Sequence, residues 1–169
     1  QNDQEALKWY RLAADQGNAH SQFSLGIMYD IGRGLKENNQ EAARWYQLSA
    51  EQGFPPAQYL LASLYYNGLG VLQDYQKALE WYQSAAEQGH DEAQNELAKM
   101  FYDGIGVEQD YQQALKWYKA AADQGLAEAQ YGVGQMYDDG KGVAEDNSEA
   151  VKWYKLSSDQ GYAKAQNAL

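Results

Sequence analysis

Apolar residues along this chain fall on two kinds of helical stripe that alternate. Ala78, Trp81, Tyr82 and Ala85 stand at i, i+3, i+4 and i+7, which is one face of an α-helix. Ala57, Leu61, Leu64 and Tyr65 stand at i, i+4, i+7 and i+8, a second such face. The second stripe recurs as Ser21, Leu25, Met28, Tyr29, as Ala93, Leu97, Met100, Phe101, and as Ala129, Val133, Met136, Tyr137. No run of residues alternates with period two, so no strand competes.

The two stripes predict an outer and an inner helix. Outer helices begin near Asn2, Asn38, Asp74, Asp110 and Asp146, whose side chains suit an N-cap. Three residues on stand Glu5, Glu41, Lys77, Gln113 and Glu149, and all but the lysine can close a capping box. Gly89 and its equivalents end the helix, because glycine takes the left-handed C′ conformation without a Cβ penalty. Pro55 and Pro56 fit the first turn of an inner helix, where a missing N–H costs little. Gly26, Ala62, Ala98 and Gly134 are small, so a neighbouring element can approach them closely. A Gly-x-Gly turn then reverses the chain, and Leu35, Val71, Val107 or Val143 returns to the core.

This pattern repeats at a fixed distance. Trp-Tyr occurs at Trp9, Trp45, Trp81, Trp117 and Trp153, every interval being 36 residues. Gln-Gly follows the same spacing from Gln16 to Gln160, as does the glycine pair from Gly32/Gly34 to Gly140/Gly142. A single helix pair cannot bury its own apolar face, but stacked pairs can. The expected fold is therefore all-α, a right-handed α-α superhelix or solenoid of 36-residue helix-turn-helix repeats. Residues 1–169 read as one solenoid domain. Its units lie near 1–17 (outer helix only), 18–53, 54–89, 90–125 and 126–161, with 162–169 truncated.

Composition narrows the function. The net charge is −11, from 24 acidic and 13 basic residues, which argues against nucleic acid and anionic membranes and favours basic partners. No apolar run approaches the ~20 residues that span a bilayer. The chain has no cysteine, which excludes disulfides and thiolate chemistry.

The pattern Ala-x-x-x-Leu-Gly-x-x-Tyr-x-x-Gly-x-Gly, then Asp-x-x-x-Ala-x-x-Trp-Tyr-x-x-Ala-Ala-x-Gln-Gly, resembles the Sel-one-like repeat family, a relative of the tetratricopeptide repeat. Ser21, Leu25, Gly26, Tyr29, Gly32 and Gly34 carry its first half, and Asn38, Ala42, Trp45, Tyr46, Ala50 and Gly53 its second. Ala62, Ala98 and Phe101 are minor departures. The resemblance covers the whole chain and implies an adaptor or scaffold that binds proteins. It also implies a setting common in bacteria, exported or envelope-associated rather than cytoplasmic, while such repeats occur in eukaryotic quality-control complexes as well. The per-repeat disulfide of some bacterial members does not transfer to a chain without cysteine, nor does the β-lactam-related activity attributed to that branch.

Repetition also isolates candidate binding positions, since columns that vary are free of the fold's demands. On the inner helices five columns lie opposite the core stripe at ~100° per residue, and tetratricopeptide-like packing would turn them into a concave groove. They hold Phe23, Ile27, Asp30 and Ile31; Tyr59, Ser63, Tyr66 and Asn67; Asn95, Lys99, Tyr102 and Asp103; Tyr131, Gln135, Asp138 and Asp139. His20, Pro56, Glu92 and Glu128 complete them. Aromatic and aliphatic residues gather at the N-terminal end and carboxylates at the other. Either this row marks an interaction site, or part of it packs on the adjacent inner helix. A contiguous apolar row favours the first. The Trp-Tyr pairs, by contrast, recur at a core-facing position and read as structural.

Chemistry finds little footing. The histidines His20 and His90 lie far apart, and no nucleophile elbow or metal-spaced pair is present. His90-Asp91-Glu92 reads as the first turn of an inner helix, where acidic groups suit the dipole. Asp138-Asp139-Gly140 reads as a helix end, too short for a calcium loop. The expectation is a non-enzymatic protein–protein interaction module without cofactor or metal, holding a protein segment with basic residues. The alternative is a structural spacer or self-associating stretch of a longer array, joined end to end through open apolar surface such as Ala163, Ala165 and Leu169.

Overall fold

The computed structural model describes residues 2–169, leaving aside the side chain of Asn2. The N-cap role expected of that side chain falls outside the described residues. The chain divides into two compact units, residues 1–88 and 89–169. Among the described residues every regular element is a helix. The first unit holds α1 (Asn2–Asp15), α2 (Ala19–Asp30), α3 (Asn39–Ala50), α4 (Pro55–Asn67) and α5 (Tyr75–Glu87). The second holds α6 (Asp91–Asp103), α7 (Tyr111–Asp123), α8 (Ala127–Asp139), α9 (Asn147–Asp159) and α10 (Ala163–Asn167). Within each unit, consecutive helices pack pairwise. The fold is thus an all-α array of helix-turn-helix repeats, the solenoid class expected.

Helix boundaries follow the local chemistry. Asn38 Oδ1 accepts from the amides of Gln40 and Glu41, at 3.1 and 3.2 Å. Asp74, Asp110 and Asp146 cap α5, α7 and α9 in the same way. The expected capping boxes close on one side only. The amides of Asn38, Asp74, Asp110 and Asp146 donate at 2.9 Å to the carbonyls of Tyr29, Tyr65, Phe101 and Tyr137, nine residues upstream. With that donor engaged, Glu41 and Glu149 turn to Arg44 and Lys152 instead, at 3.8 and 2.7 Å. Outer helices end on left-handed glycines, Gly53 at φ 83° among them.

Each unit buries its own core. In the first, Ala42, Tyr46, Ala57, Leu61 and Leu64 form its centre, with Trp81 packed against it. In the second, Ala114, Tyr118, Ala129, Val133 and Met136 do so, flanked by Trp117 and Trp153. The inner-helix stripe is therefore the core stripe. The small residue that follows its Leu or Val receives an aromatic ring. A Cβ on Gly26 would stand 2.6 Å from the Tyr46 ring, and one on Gly134 would stand 2.5 Å from that of Tyr154.

The Trp-Tyr pairs divide their work, which corrects the reading of both residues as facing one core. Tyr46, Tyr82, Tyr118 and Tyr154 are buried throughout, whereas only Trp45 among the tryptophans is. Trp81, Trp117 and Trp153 are half-buried. Adjacent helical residues point about 100° apart, so both cannot face one partner. The tyrosine turns to the small residue of the inner helix. Trp45 packs on Ala14 and Leu25 of the preceding pair. In α1, Trp9 is 60% exposed and Tyr10 is 37% exposed.

Candidate functional site

In the first unit, most of the candidate row is engaged from behind. Phe23 meets Phe54 and Tyr46 at ring distances of 5.2 and 5.9 Å. Tyr59 meets Tyr82 at 5.8 Å and Tyr66 meets Tyr75 at 5.2 Å. Ile27 is half-buried against the core around Tyr46 and Leu61. Asp30 accepts from the buried Tyr46 hydroxyl at 3.3 Å. Asn67 folds back on its own helix, donating to the Ser63 carbonyl at 2.9 Å. Ile31 alone is an exposed large apolar side chain in this row. These columns are thus not a face opposite the core. They flank it, because α2 packs between α1 and α3, and α4 between α3 and α5.

The second unit gathers its candidates more tightly. Lys99 donates to Glu96 at 2.7 Å and pairs with Glu128 at 3.0 Å, tying α6 to α8. Lys99, Tyr102, Asp103, Tyr131 and Gln135 line one cleft of about 190 Å³, together with Tyr118, Glu128 and Gly132. Tyr162 and Lys164, from the end of the chain, complete its wall. The Tyr131 ring lies 5.5 Å from both Tyr154 and Tyr162. Burial pushes the Tyr118 phenol well above its ordinary range, and the carboxylates of Asp103, Glu128 and Glu96 push it further. The cleft wall carries two carboxylates, Asp103 and Glu128, and two lysines, Lys99 and Lys164.

Two candidates lie elsewhere. Asp138 accepts from the Tyr154 hydroxyl at 3.3 Å, as Asp30 does from Tyr46. Asp139 pairs at 3.0 Å with Lys141, a turn residue the sequence reading did not single out. Lys141 Nζ donates to the Tyr102 hydroxyl at 2.5 Å and lies 4.8 Å above that ring. Those hydrogen bonds raise its pKa above the lysine norm.

Asn95 is the exception in its column. It was expected on an open face, yet it is 2% exposed. Its Nδ2 donates to Glu128 at 3.2 Å, while its buried Oδ1 has no partner. A short amide at a position otherwise held by an aromatic ring sinks below the surface that the rings would form.

Sequence reasoning missed Tyr118, Tyr162 and Lys164. Tyr118 was assigned wholly to the core. Tyr162 belongs to the column Asn18, Phe54, His90, Leu126, the residues before each inner helix, and its variability was the available signal.

Among the described residues, His90, Asp91 and Glu92 have ligand atoms close enough together for a metal ion. Their geometry is that of a helix start. His90 Nδ1 accepts from the Ala93 amide at 3.3 Å, as Asn18 Oδ1 accepts from Ser21 at 2.8 Å. Burial lowers the His90 pKa, with Asp91 opposing. Among the described residues, no helix is long and apolar enough to cross a membrane.

Comparison with known proteins gives the architecture a lineage. The family model of the Sel1 repeat matches residues 1–18, 19–54, 55–90, 91–126 and 127–162. No curated protein matches the sequence. A protective antigen of uropathogenic Escherichia coli strains, with an SLR fold, superposes at a TM-score of 0.92 with 37% identity, over 94% of this chain and 34% of the antigen. A Sel1 repeat protein from Oxalobacter formigenes gives 0.86 and 38%, over 89% of this chain and 60% of that one. An immunity protein from Pseudomonas aeruginosa gives 0.58 and 24%, over 94% and 58%, which is a likeness of fold. The chain thus spans about a third of the antigen and three-fifths of the Oxalobacter protein.

Proposed function

Because the chain belongs to the Sel1 repeat family, whose members generally serve as scaffolds for protein–protein interaction, we propose that it is a non-catalytic module binding a protein segment along the inner-helix columns. The supporting observation is the second-unit cleft, where Lys99, Tyr102, Asp103, Tyr131 and Gln135 share one concave surface. Tyrosines there offer large contact area at low entropic cost, and the carboxylates select a basic segment. The columns of α2 and α4, with exposed Ile31, offer the apolar counterpart within the first unit.

Site-specific photo-crosslinking tests this reading. A crosslinker at Gln135 or Ile31 should capture a defined segment of one protein. A crosslinker at Lys116 or Val151, exposed on the outer helices, should not. Capture of the same segment from the outer helices alone moves recognition off the inner-helix columns and overturns the assignment.

A further inference from the structure

The cleft of the second unit exists because one ring is missing from a series. Phe23, Tyr59 and Tyr131 occupy the same column of α2, α4 and α8, and each lays its ring against the tyrosine of the following outer helix. The ring distances are 5.9 Å to Tyr46, 5.8 Å to Tyr82 and 5.5 Å to Tyr154. In α6 that column holds Asn95, and the following tyrosine is Tyr118. An asparagine side chain stops short of where a phenyl ring would reach. Tyr118 and Gly132, which the ring would cover, instead form cleft wall.

The space left is small and specific. At about 190 Å³ it falls below the ~300 Å³ at which drug-sized pockets begin, and suits one side chain. Its donors and acceptors are unbalanced. Asp103 and Glu128 stand on the wall, and Glu96 adjoins through Lys99. Against these three carboxylates stand two lysines, Lys99 and Lys164. Lys99 is already engaged by Glu96 and Glu128. Behind Glu128, the Asn95 oxygen is a buried acceptor with no donor.

From these observations we infer that the cleft of α6, α7, α8 and α10 receives an arginine side chain of the bound segment. Arginine meets each requirement. Its planar guanidinium stacks on an aromatic face, here Tyr131 or Tyr162. It presents five donors and no acceptor, so it can bond the Asp103 carboxylate in a fork and add to the pair that Glu128 makes with Lys99. Lysine supplies charge without the plane or the fork. The inference rests on the proposed binding role and gives it a residue-level specificity.

The test uses the whole chain, with N-acetyl-arginine amide as probe and the lysine and glutamine analogues as comparators. Two-dimensional NMR of the labelled protein should show saturable shifts confined to residues around Asn95, Tyr118, Tyr131 and Tyr162. The arginine probe should bind most tightly and the glutamine analogue should fail. Asp103→Asn should weaken the arginine probe about two- to fivefold, as for an exposed ion pair. Lys164→Gln should strengthen it. Asn95→Tyr restores the ring of the other repeats and should close the cleft, abolishing saturable binding while the spectrum stays folded. If that variant does not fold, Glu128→Gln carries the same demand for weakened arginine binding.

Shifts scattered over the acidic surface would overturn the inference, and so would saturable binding that survives both Asn95→Tyr and Glu128→Gln. Crosslinking from Gln135 that still captures a partner in those variants would leave the binding role standing and remove only the arginine pocket. Loss of capture from every inner-helix position would remove the role itself.

Discussion

Gln52 Nε2 donates to Gln22 Oε1 at 2.7 Å, and Gln22 Nε2 donates in turn to the Ala14 carbonyl at 3.2 Å. The relay recurs as Gln88 to Gln58 to Ala50, and as Gln160 to Gln130 to Ala122. Gln124 meets Gln94 in the same way. The last carbonyls of a helix have no partner within it. At Ala14, Ala50 and Ala122 the following glycine amide supplies one bond at 2.9 Å, a buried glutamine of the inner helix adds a second, and the next outer helix holds that glutamine in place. Gln58→Leu keeps the volume and breaks both bonds, while the Ala50 carbonyl keeps the Gly53 amide at 2.9 Å and Gln88 keeps the Ser84 carbonyl at 3.0 Å. We expect a loss of about 1–3 kcal/mol in urea denaturation. A loss below ~0.5 kcal/mol would mean that water replaces the relay.

The division of the Trp-Tyr pairs predicts unequal costs for one substitution. Trp45→Ala removes a buried ring and should cost about 3–5 kcal/mol. Trp9→Ala, at a site 60% exposed, should fall within about 0.5 kcal/mol. The same denaturation curves check both, and equal costs would contradict the packing described.

Two glycines of similar φ should respond differently to alanine. Gly53 has φ 83° with nothing within 4 Å of an added Cβ. Gly70 has φ 71°, but there the Cβ would stand 2.2 Å from the Asn39 carbonyl oxygen, which is backbone and cannot swing aside. Gly53→Ala should cost only the left-handed penalty of about 1–2 kcal/mol. Gly70→Ala should cost clearly more, and its thermal midpoint should fall further. Matching midpoints would show that the turn shifts to accommodate the methyl.

His90 ties one helix start to pH. Its neutral Nδ1 accepts the Ala93 amide, and burial holds its pKa below the ordinary 6.5. The unfolded chain therefore binds the proton first. The cap's contribution is fully present above pH 6.5 and is lost as pH falls through the lower folded value. It amounts to about 1 kcal/mol, the usual worth of an N-cap. Asp91 and Glu92 face the ring and add their own titrations below. His90→Asn, the residue of the Asn18 cap, should keep the helix and remove that pH dependence. Stability measured against pH in both proteins checks it, and parallel curves would exclude the cap.

The repeat, the helix boundaries and four N-caps were legible because each depends on local chemistry repeated in register. Burial within the repeat was less so. A 3.6 periodicity identifies a face without saying which of two adjacent large residues, Trp45 or Tyr46, meets the inner helix. The glutamine relay was hidden for another reason. Gln22 and Gln52 are 30 residues apart, and each alone looks like a solvated polar position. Of the candidate row, Lys99, Tyr102, Asp103, Tyr131 and Gln135 share one cleft, while Asp138, Asp139 and Asn67 are taken by local partners. Helical angle alone cannot rank such positions, because flanking helices cover part of the surface it assigns to solvent.

The bond from each outer-helix N-cap amide to a carbonyl nine residues back gives the array two unlike joints. The joint from inner to outer helix, such as Tyr29 to Asn38, is sealed by that bond at fixed length. The joint at Gly53 faces open space. A reporter peptide or affinity tag spliced at Gly53 would add a flexible loop, whose closure entropy grows only slowly with length. The same peptide spliced between Tyr29 and Asn38 would sever the seal and throw every following pair out of step. Lengthening of such arrays is thereby confined to whole repeats or to one of the two edges.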